Sequence, residues 1–303
     1  MSKNFDDLLS QVATCSMKTI AVSVAQDEAV LEAVRAAKER KIANAILVKD
    51  KTEIEAIAKT INMDLTDFEI IDEPDIAMAA LTAVKLVHDK KADALLKGLV
   101  DTRTFLKSVL DKEVGLRTGK QMSHVCVFEI PGIDHLLFLT DVAFNTYPTL
   151  EDKIKIVENT VEIAKACGID TTKVAPLCSV EVVNPKMPPT VDADALTKMN
   201  ECGDIKDCLI YGPLSMDLAL SEEAGQHKGL SNPVIGHADI LLFPDIDSGN
   251  ITYKTLVHTT ACKNGNLLIG TAAPVILTSR SDSFEVKVNS IALASVIAES
   301  LNK

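Results

Sequence analysis

Between Thr19 and Leu110 the chain switches repeatedly between two hydrophobic periods, and this alternation limits the fold more than any other feature. Thr19–Val24, Ala43–Val48, Phe68–Ile71 and Ala92–Leu96 are short apolar runs of strand length. They are followed in turn by Asp27–Arg40, Thr52–Ile61, Pro74–His88 and Thr102–Leu110, which carry helical spacing. In the first of these Val30, Leu31, Val34 and Ala37 share a face; in the third, Ile76, Ala80, Leu81, Val84 and Val87 are expected to point inward. Strands separated by helices of this length pair in parallel through right-handed crossovers. Trp is absent and aromatics make up only 4% of the chain, so the core must be built from Ile, Leu, Val and Ala. That mix suits a parallel sheet covered by helices.

The pattern changes near Ser123. Val125–Ile130 and Leu136–Leu139 flank Pro131-Gly132-Ile133-Asp134, a hairpin signal. Alternation then resumes. Helices are expected at Leu150–Cys167 (closed by Gly168), Asp192–Cys202 and Gly249–Thr260. Strands are expected at Val174–Cys178, Cys208–Tyr211, Ile240–Phe243 and Leu267–Ile269. A last apolar run, Pro274–Leu277, leads into a long helical pattern ending near Lys303. A length of 303 residues fits one large or two ordinary domains. The hairpin marks the start of a second domain at 123.

The net charge of −12 argues against nucleic acid and anionic membranes as partners, since both need a basic surface. An anionic ligand would need a positive environment made locally. Seven scattered cysteines contain no CxxC pair, which fits free thiols in a reducing cytoplasm. The N-terminus lacks signal-peptide form, and no uncharged apolar run is long enough to span a bilayer.

Several motifs fail on inspection. Gly265-Asn266-Leu267-Leu268-Ile269-Gly270-Thr271 has Walker A glycine spacing without the lysine. No GxGxxG follows the first strand. Asp245-Ile246-Asp247-Ser248-Gly249 is one residue out of step for a calcium loop, and Leu256 stands where a bidentate Glu is needed. HExxH and GxSxG are absent, and the histidines do not cluster.

The chemistry-bearing residues collect where strands end. Leu277-Thr278-Ser279-Arg280-Ser281-Asp282-Ser283 joins the last strand to the last helix. A helix N-terminus offers unpaired N–H groups and a positive dipole end, a site for anions. The plain alternative is that Ser281 or Asp282 caps the helix, with Asp282 and Glu285 at capping-box spacing. Arg280 does not fit as a cap, because a cation there is unfavourable without an anion. Four more polar clusters end strands: Lys97-Gly98 with Asp101-Thr102-Arg103, Thr140-Asp141 with Asn145, Ser179 to Lys186 including Asn184, and Pro244-Asp245 with Asn250 and Lys254. Ligands of open parallel sheets bind at this edge.

Taken together, these runs resemble the phosphate acetyl/butyryltransferases. Lys97-Gly98, Thr140-Asp141, Val183-Asn184-Pro185-Lys186-Met187-Pro188, Gly212-Pro213-Leu214 with Asp217, the stretch from Pro244 to Lys254, and the Ser279-Arg280 run carry the likeness, in register from about Leu95 to the C-terminus. Gly115-Leu116-Arg117-Thr118-Gly119 and the Asn-Pro-Lys-Met-Pro run lie nearer the butyryl branch.

The resemblance implies a reversible reaction: acyl-CoA plus orthophosphate gives acyl phosphate plus CoA, by direct attack in a ternary complex. No metal and no permanently bound cofactor takes part, and CoA enters as a substrate. It implies an α/β fold of two domains with mostly parallel sheets, like the isocitrate and isopropylmalate dehydrogenases, with the active site in the interdomain cleft. The domains would be 1–122 plus 275–303, and 123–274. It also implies a homodimer or larger homo-oligomer acting on small molecules. Ser279 would orient the CoA sulfur, and Arg280 would neutralise phosphate and developing oxyanion. The family's acidic position falls on Val286, so Asp282 or Glu285 would have to act as base, with Asp282 the candidate carried forward. Lys97 and Arg117 are candidates for further phosphate contacts, and Thr102, Asp141, Asn145, Asn184, Lys186, Asp245, Asn250 and Lys254 for binding substrate. Two other readings share the architecture: a nucleotide-dependent dehydrogenase, and a non-catalytic CoA- or phosphate-binding regulator.

Overall fold

The computed structural model describes residues 2–279 and 282–301. They group into two compact units, one of residues 5–120 and 264–303, the other of residues 1–4 and 121–263. We call these the outer unit and the middle unit.

The outer unit contains α1 (Phe5–Val12), β1 (Lys18–Ser23), α2 (Glu28–Glu39), β2 (Ala43–Val48), α3 (Lys51–Thr60), β3 (Glu69–Ile71), α4 (Ile76–His88), β4 (Ala94–Lys97) and α5 (Thr102–Val109). The middle unit follows with β5 (Ser123–Glu129), β6 (Leu137–Thr140), α6 (Leu150–Ala166), β7 (Thr172–Pro176), α7 (Pro188–Glu201), β8 (Cys208–Ile210), α8 (Met216–Leu220), α9 (Glu222–His227), β9 (Ile240–Leu242) and α10 (Ile246–Thr259). The chain returns to the outer unit with β10 (Lys263–Ile269), β11 (Val275–Ile276) and α11 (Phe284–Leu301).

Strands of the outer unit run β3-β2-β1-β4-β11-β10. All are parallel except β10, which pairs antiparallel with β11 through Leu268 and Val275. The middle unit has the order β5-β6-β9-β7-β8, parallel except for the β5–β6 hairpin. The mostly parallel α/β class read from the sequence is therefore present in both units.

One device recurs in the outer unit. Asp27, Asp50, Asp75 and Asp101 each precede a helix and accept the amide three residues on. Each satisfies an orphan donor and places a negative charge at the positive end of a helix dipole. Aspartates at the carboxyl edge of this sheet thus have a structural task before any other.

The boundaries differ from expectation at particular places. Residues 264–274 group with the outer unit, because β10 is stitched to α11: Asn289 Nδ2 donates to the Asn264 carbonyl (3.1 Å) and Asn266 N–H to Ser290 Oγ (2.8 Å). Residues 1–4 group with the middle unit, where Ser2 N–H donates to the Cys167 carbonyl. Ile76 is not inward but 45% exposed, since α4 turns Ala79, Ala80, Ala83, Val84, Leu86 and Val87 to the core. α11 is buried from Lys287 through Ala298 and packs on α1, α2, β4 and β11. Among the described residues no helix is long and apolar enough to cross a membrane.

Candidate functional site

The candidate residues divide between the units. In the outer unit Lys97 ends β4, and Ser279 lies beyond β11, the strand parallel to β4 in the same sheet. Together with Asp27, Val30, Gly98, Leu99, Thr278 and Lys287 they line one pocket. The backbone there is tightly specified. Gly98 N–H donates to the Ser23 carbonyl (2.8 Å), and a Cβ on Gly98 would lie 2.3 Å from the Val24 oxygen. Val24, fully buried, has φ of 57°, a strained conformation for a β-branched residue. Such strain persists only where the surroundings enforce it, and it gathers at functional sites.

Among the described residues of the segment into α11, the cap is not Asp282. Ser283 Oγ accepts the Val286 amide at 3.4 Å, so Ser283 takes the cap position. Asp282 instead turns back. Its Oδ2 accepts the Ser279 amide (2.7 Å), and its own amide donates to the Ser279 carbonyl (3.2 Å). The Asp282–Glu285 capping box does not form, because Glu285 makes a paired contact with Arg40 at the far end of α2 (3.1 and 3.0 Å). That contact raises the Arg40 pKa, chiefly through the hydrogen bond. Of the two carboxylates proposed as base, only Asp282 is held against Ser279. Arg280 and Ser281 lie outside the described residues. Thr102, first residue of α5, and Arg117, whose backbone bridges to Thr271, are both exposed and do not line the pocket.

In the middle unit Asp141 and Asn145 hold each other, while Asp245 and Asn250 brace the start of α10. Asp141 is 2% exposed. It accepts the amides of His124, Ala143, Phe144 and Asn145, and the Asn145 side-chain amide at 2.6 Å. Asn145 also donates to the Met122 carbonyl and accepts from Gln121. Asp245 caps α10 by accepting from Ser248 N–H and Oγ–H. Asn250 Nδ2 donates to the Val142 carbonyl (3.0 Å). A Cβ on Gly249 would lie 2.4 Å from the Asp141 carbonyl oxygen, so only glycine lets α10 approach this turn.

The other middle-unit candidates stand apart. Asn184 closes its own turn, accepting the Lys186 amide, while its backbone bonds Thr190 Oγ1. The Lys186 side chain is exposed. Lys254 Nζ rests 5.3 Å from the centre of the Tyr253 ring.

Two features escaped the sequence reading. Lys287, one turn into α11, is 3% exposed, and its Nζ donates to the Asp282 carbonyl (2.8 Å). Burial lowers its pKa, against the opposing charges of Asp27 and Asp282. The β1–α2 connection supplies Asp27 to the pocket, and its only sequence signal was the capping aspartate. All seven cysteines are free. Burial pushes the thiol of Cys167 up to about 12 and those of Cys178 and Cys208 up to about 11. These three are protonated at neutral pH and are poor nucleophiles. Among the described residues no group of three or more His, Cys, Asp or Glu is placed to hold a metal ion.

The buried Lys97 and Lys287 thus line one pocket with Ser279 at the edge of a mostly parallel sheet, in a protein of the α/β class. The family model for phosphate acetyl/butaryl transferase matches residues 4–79 and 73–295, and the chain belongs to that family. It is 60% identical to a phosphate butyryltransferase of Clostridium acetobutylicum over 98% of this chain and 99% of that protein. It is 41% identical to a phosphate acetyltransferase of Thermotoga maritima over 97% of this chain and 100% of that protein. Among solved structures, a branched-chain phosphotransacylase from Enterococcus faecalis V583 superposes with a TM-score of 0.84 at 37% identity, covering 93% of this chain and 99% of that one. A putative 4-hydroxythreonine-4-phosphate dehydrogenase from Salmonella typhimurium shares the fold alone, with a TM-score of 0.56 at 12% identity over 94% of this chain and 100% of that one.

Proposed function

We propose that this protein transfers a butyryl group reversibly between CoA and orthophosphate. The observation that carries the reading is 60% identity to a phosphate butyryltransferase across nearly the full length of both chains. The outer-unit pocket supports it, with Lys97, Ser279 and Lys287 in its lining.

In the direction of acyl phosphate formation, a phosphate oxygen attacks the thioester carbonyl. The C–O bond forms, the C–S bond breaks, and the CoA sulfur leaves as thiolate and takes up a proton. In reverse, the thiol must lose that proton. A free thiol with a pKa near 8.5 is only a few per cent ionised at neutral pH. Asp282 is the proposed base, held beside Ser279 by the Ser279 amide. Ser279 orients the sulfur. Arg280 neutralises the phosphate and the oxyanion that develops on the carbonyl, a role suited to a planar, always-charged guanidinium. Lys97 adds a buried cation to this wall. In the middle unit, Asp141, Asn145, Asp245 and Asn250 act by shaping the edge, while Asn184, Lys186 and Lys254, with Thr102 and Arg117 of the outer unit, remain candidates for contacts to CoA. Free thiols fit a reducing cytoplasm, and the family likeness makes a homodimer or larger homo-oligomer the expected assembly.

The test is a thiol-release assay with purified protein, orthophosphate, and either butyryl-CoA or acetyl-CoA. Phosphate-dependent CoA release favouring butyryl-CoA is the expected outcome. Preference for acetyl-CoA keeps the reaction and assigns the other branch, which the Thermotoga maritima relative represents. A folded protein that releases CoA from neither donor overturns the reading.

A further inference from the structure

A lysine ammonium carries three donors, and burying it without an anion is costly. Lys287 is 3% exposed, and among the described residues its side chain makes one hydrogen bond, to the Asp282 carbonyl at 2.8 Å. It lines the same pocket as Lys97, itself 4% exposed. The pocket also contains Asp27, whose carboxylate already accepts the Val30 amide. With Asp282 behind Lys287, the side-chain charges nearly cancel. The balance is tipped by the N-termini of α2 and α11, each worth roughly half a positive charge. Two buried polar atoms nearby, Ser23 Oγ at the end of β1 and Gln26 Oε1 in the β1–α2 connection, have no hydrogen-bond partner among the described residues. Buried polar atoms of this kind are rare without a water or ligand to serve them.

We propose that Lys287 is a substrate-binding residue, its ammonium group joining that of Lys97 to receive a phosphate group beside Ser279. The inference rests on the acyl-transfer reading and adds to it a residue outside the runs that carry the family likeness. The phosphate group is that of orthophosphate and acyl phosphate, or one carried by CoA.

Steady-state kinetics of Lys287→Met distinguishes the two sources. Loss of a charged hydrogen bond raises the relevant KM by about tenfold to a hundredfold. A rise confined to orthophosphate assigns the site to the co-substrate phosphate; a rise confined to butyryl-CoA assigns it to CoA. Both outcomes support the inference. If both KM values hold and only kcat falls, Lys287 merely positions the Asp282 turn and the inference is wrong. Lys287→Gln keeps a donor for the Asp282 carbonyl without the charge, so it gives the same reading should the methionine variant misfold. Wild-type enzyme run alongside separates the two claims: inactivity there removes the acyl-transfer reading itself, and this inference with it.

Discussion

Asp141 in the middle unit and Asp282 in the outer unit are both buried aspartates near the end of a strand, and both accept backbone amides. Asp141 gathers the amides of four residues and one side-chain amide, and its turn is braced by Gly249 and Asn250 of α10. Asp282 holds the amide of Ser279, and that serine borders a pocket lined by two lysines. The lesson is that residues marking a family in sequence need not share a task. One set builds the edge of a sheet, whereas the other holds a serine that lines a pocket.

The sharpest way to break this contrast is to remove charge from one aspartate and acceptor capacity from the other. Asp282→Asn preserves an acceptor for the Ser279 amide, so thermal stability should hold while kcat falls by about 10²–10⁴-fold, the range of a general base. Unchanged turnover would deny Asp282 that role. Asp141→Ala should do the opposite, costing about 3–5 kcal/mol of stability by orphaning several buried amides, read by denaturant unfolding. A stable but inactive Asp141→Ala would put Asp141 in the chemistry. The smallest effect should come from Glu285→Gln. Its partner Arg40 and Glu285 itself are both well exposed, so the pair is worth about 0–1 kcal/mol and activity should stay within about twofold. A large kinetic defect would reopen Glu285 as the base.

Much of the fold was legible because its signals are local. Ala43–Val48 matches β2 residue for residue, and the capping aspartates announce α2 and α5 one residue before they begin. α7 starts at Pro188, earlier than Asp192, because prolines in a first helical turn read as loop in sequence although they suit that position. The short helices α8 and α9 were missed, being too brief to show a period. α1 is also short, with Phe5, Leu8 and Val12 on one buried face.

The candidate site was only half legible for a different reason. Sequence names the residue types and sets them at strand ends, and there Lys97, Ser279 and Asp282 could be singled out. It could not tell that Asp141 is already saturated by amides of its turn and of His124, or that Asp245 is engaged in capping α10. Nor could it show that Lys287 is enclosed by α11 packing against α2 and the sheet. Local hydrophobic period, caps and turn residues determine which elements form, since those forces act over a few residues. Which polar groups are satisfied and which are left to face a ligand depends on contacts between segments far apart in the chain, and tertiary packing alone decides that.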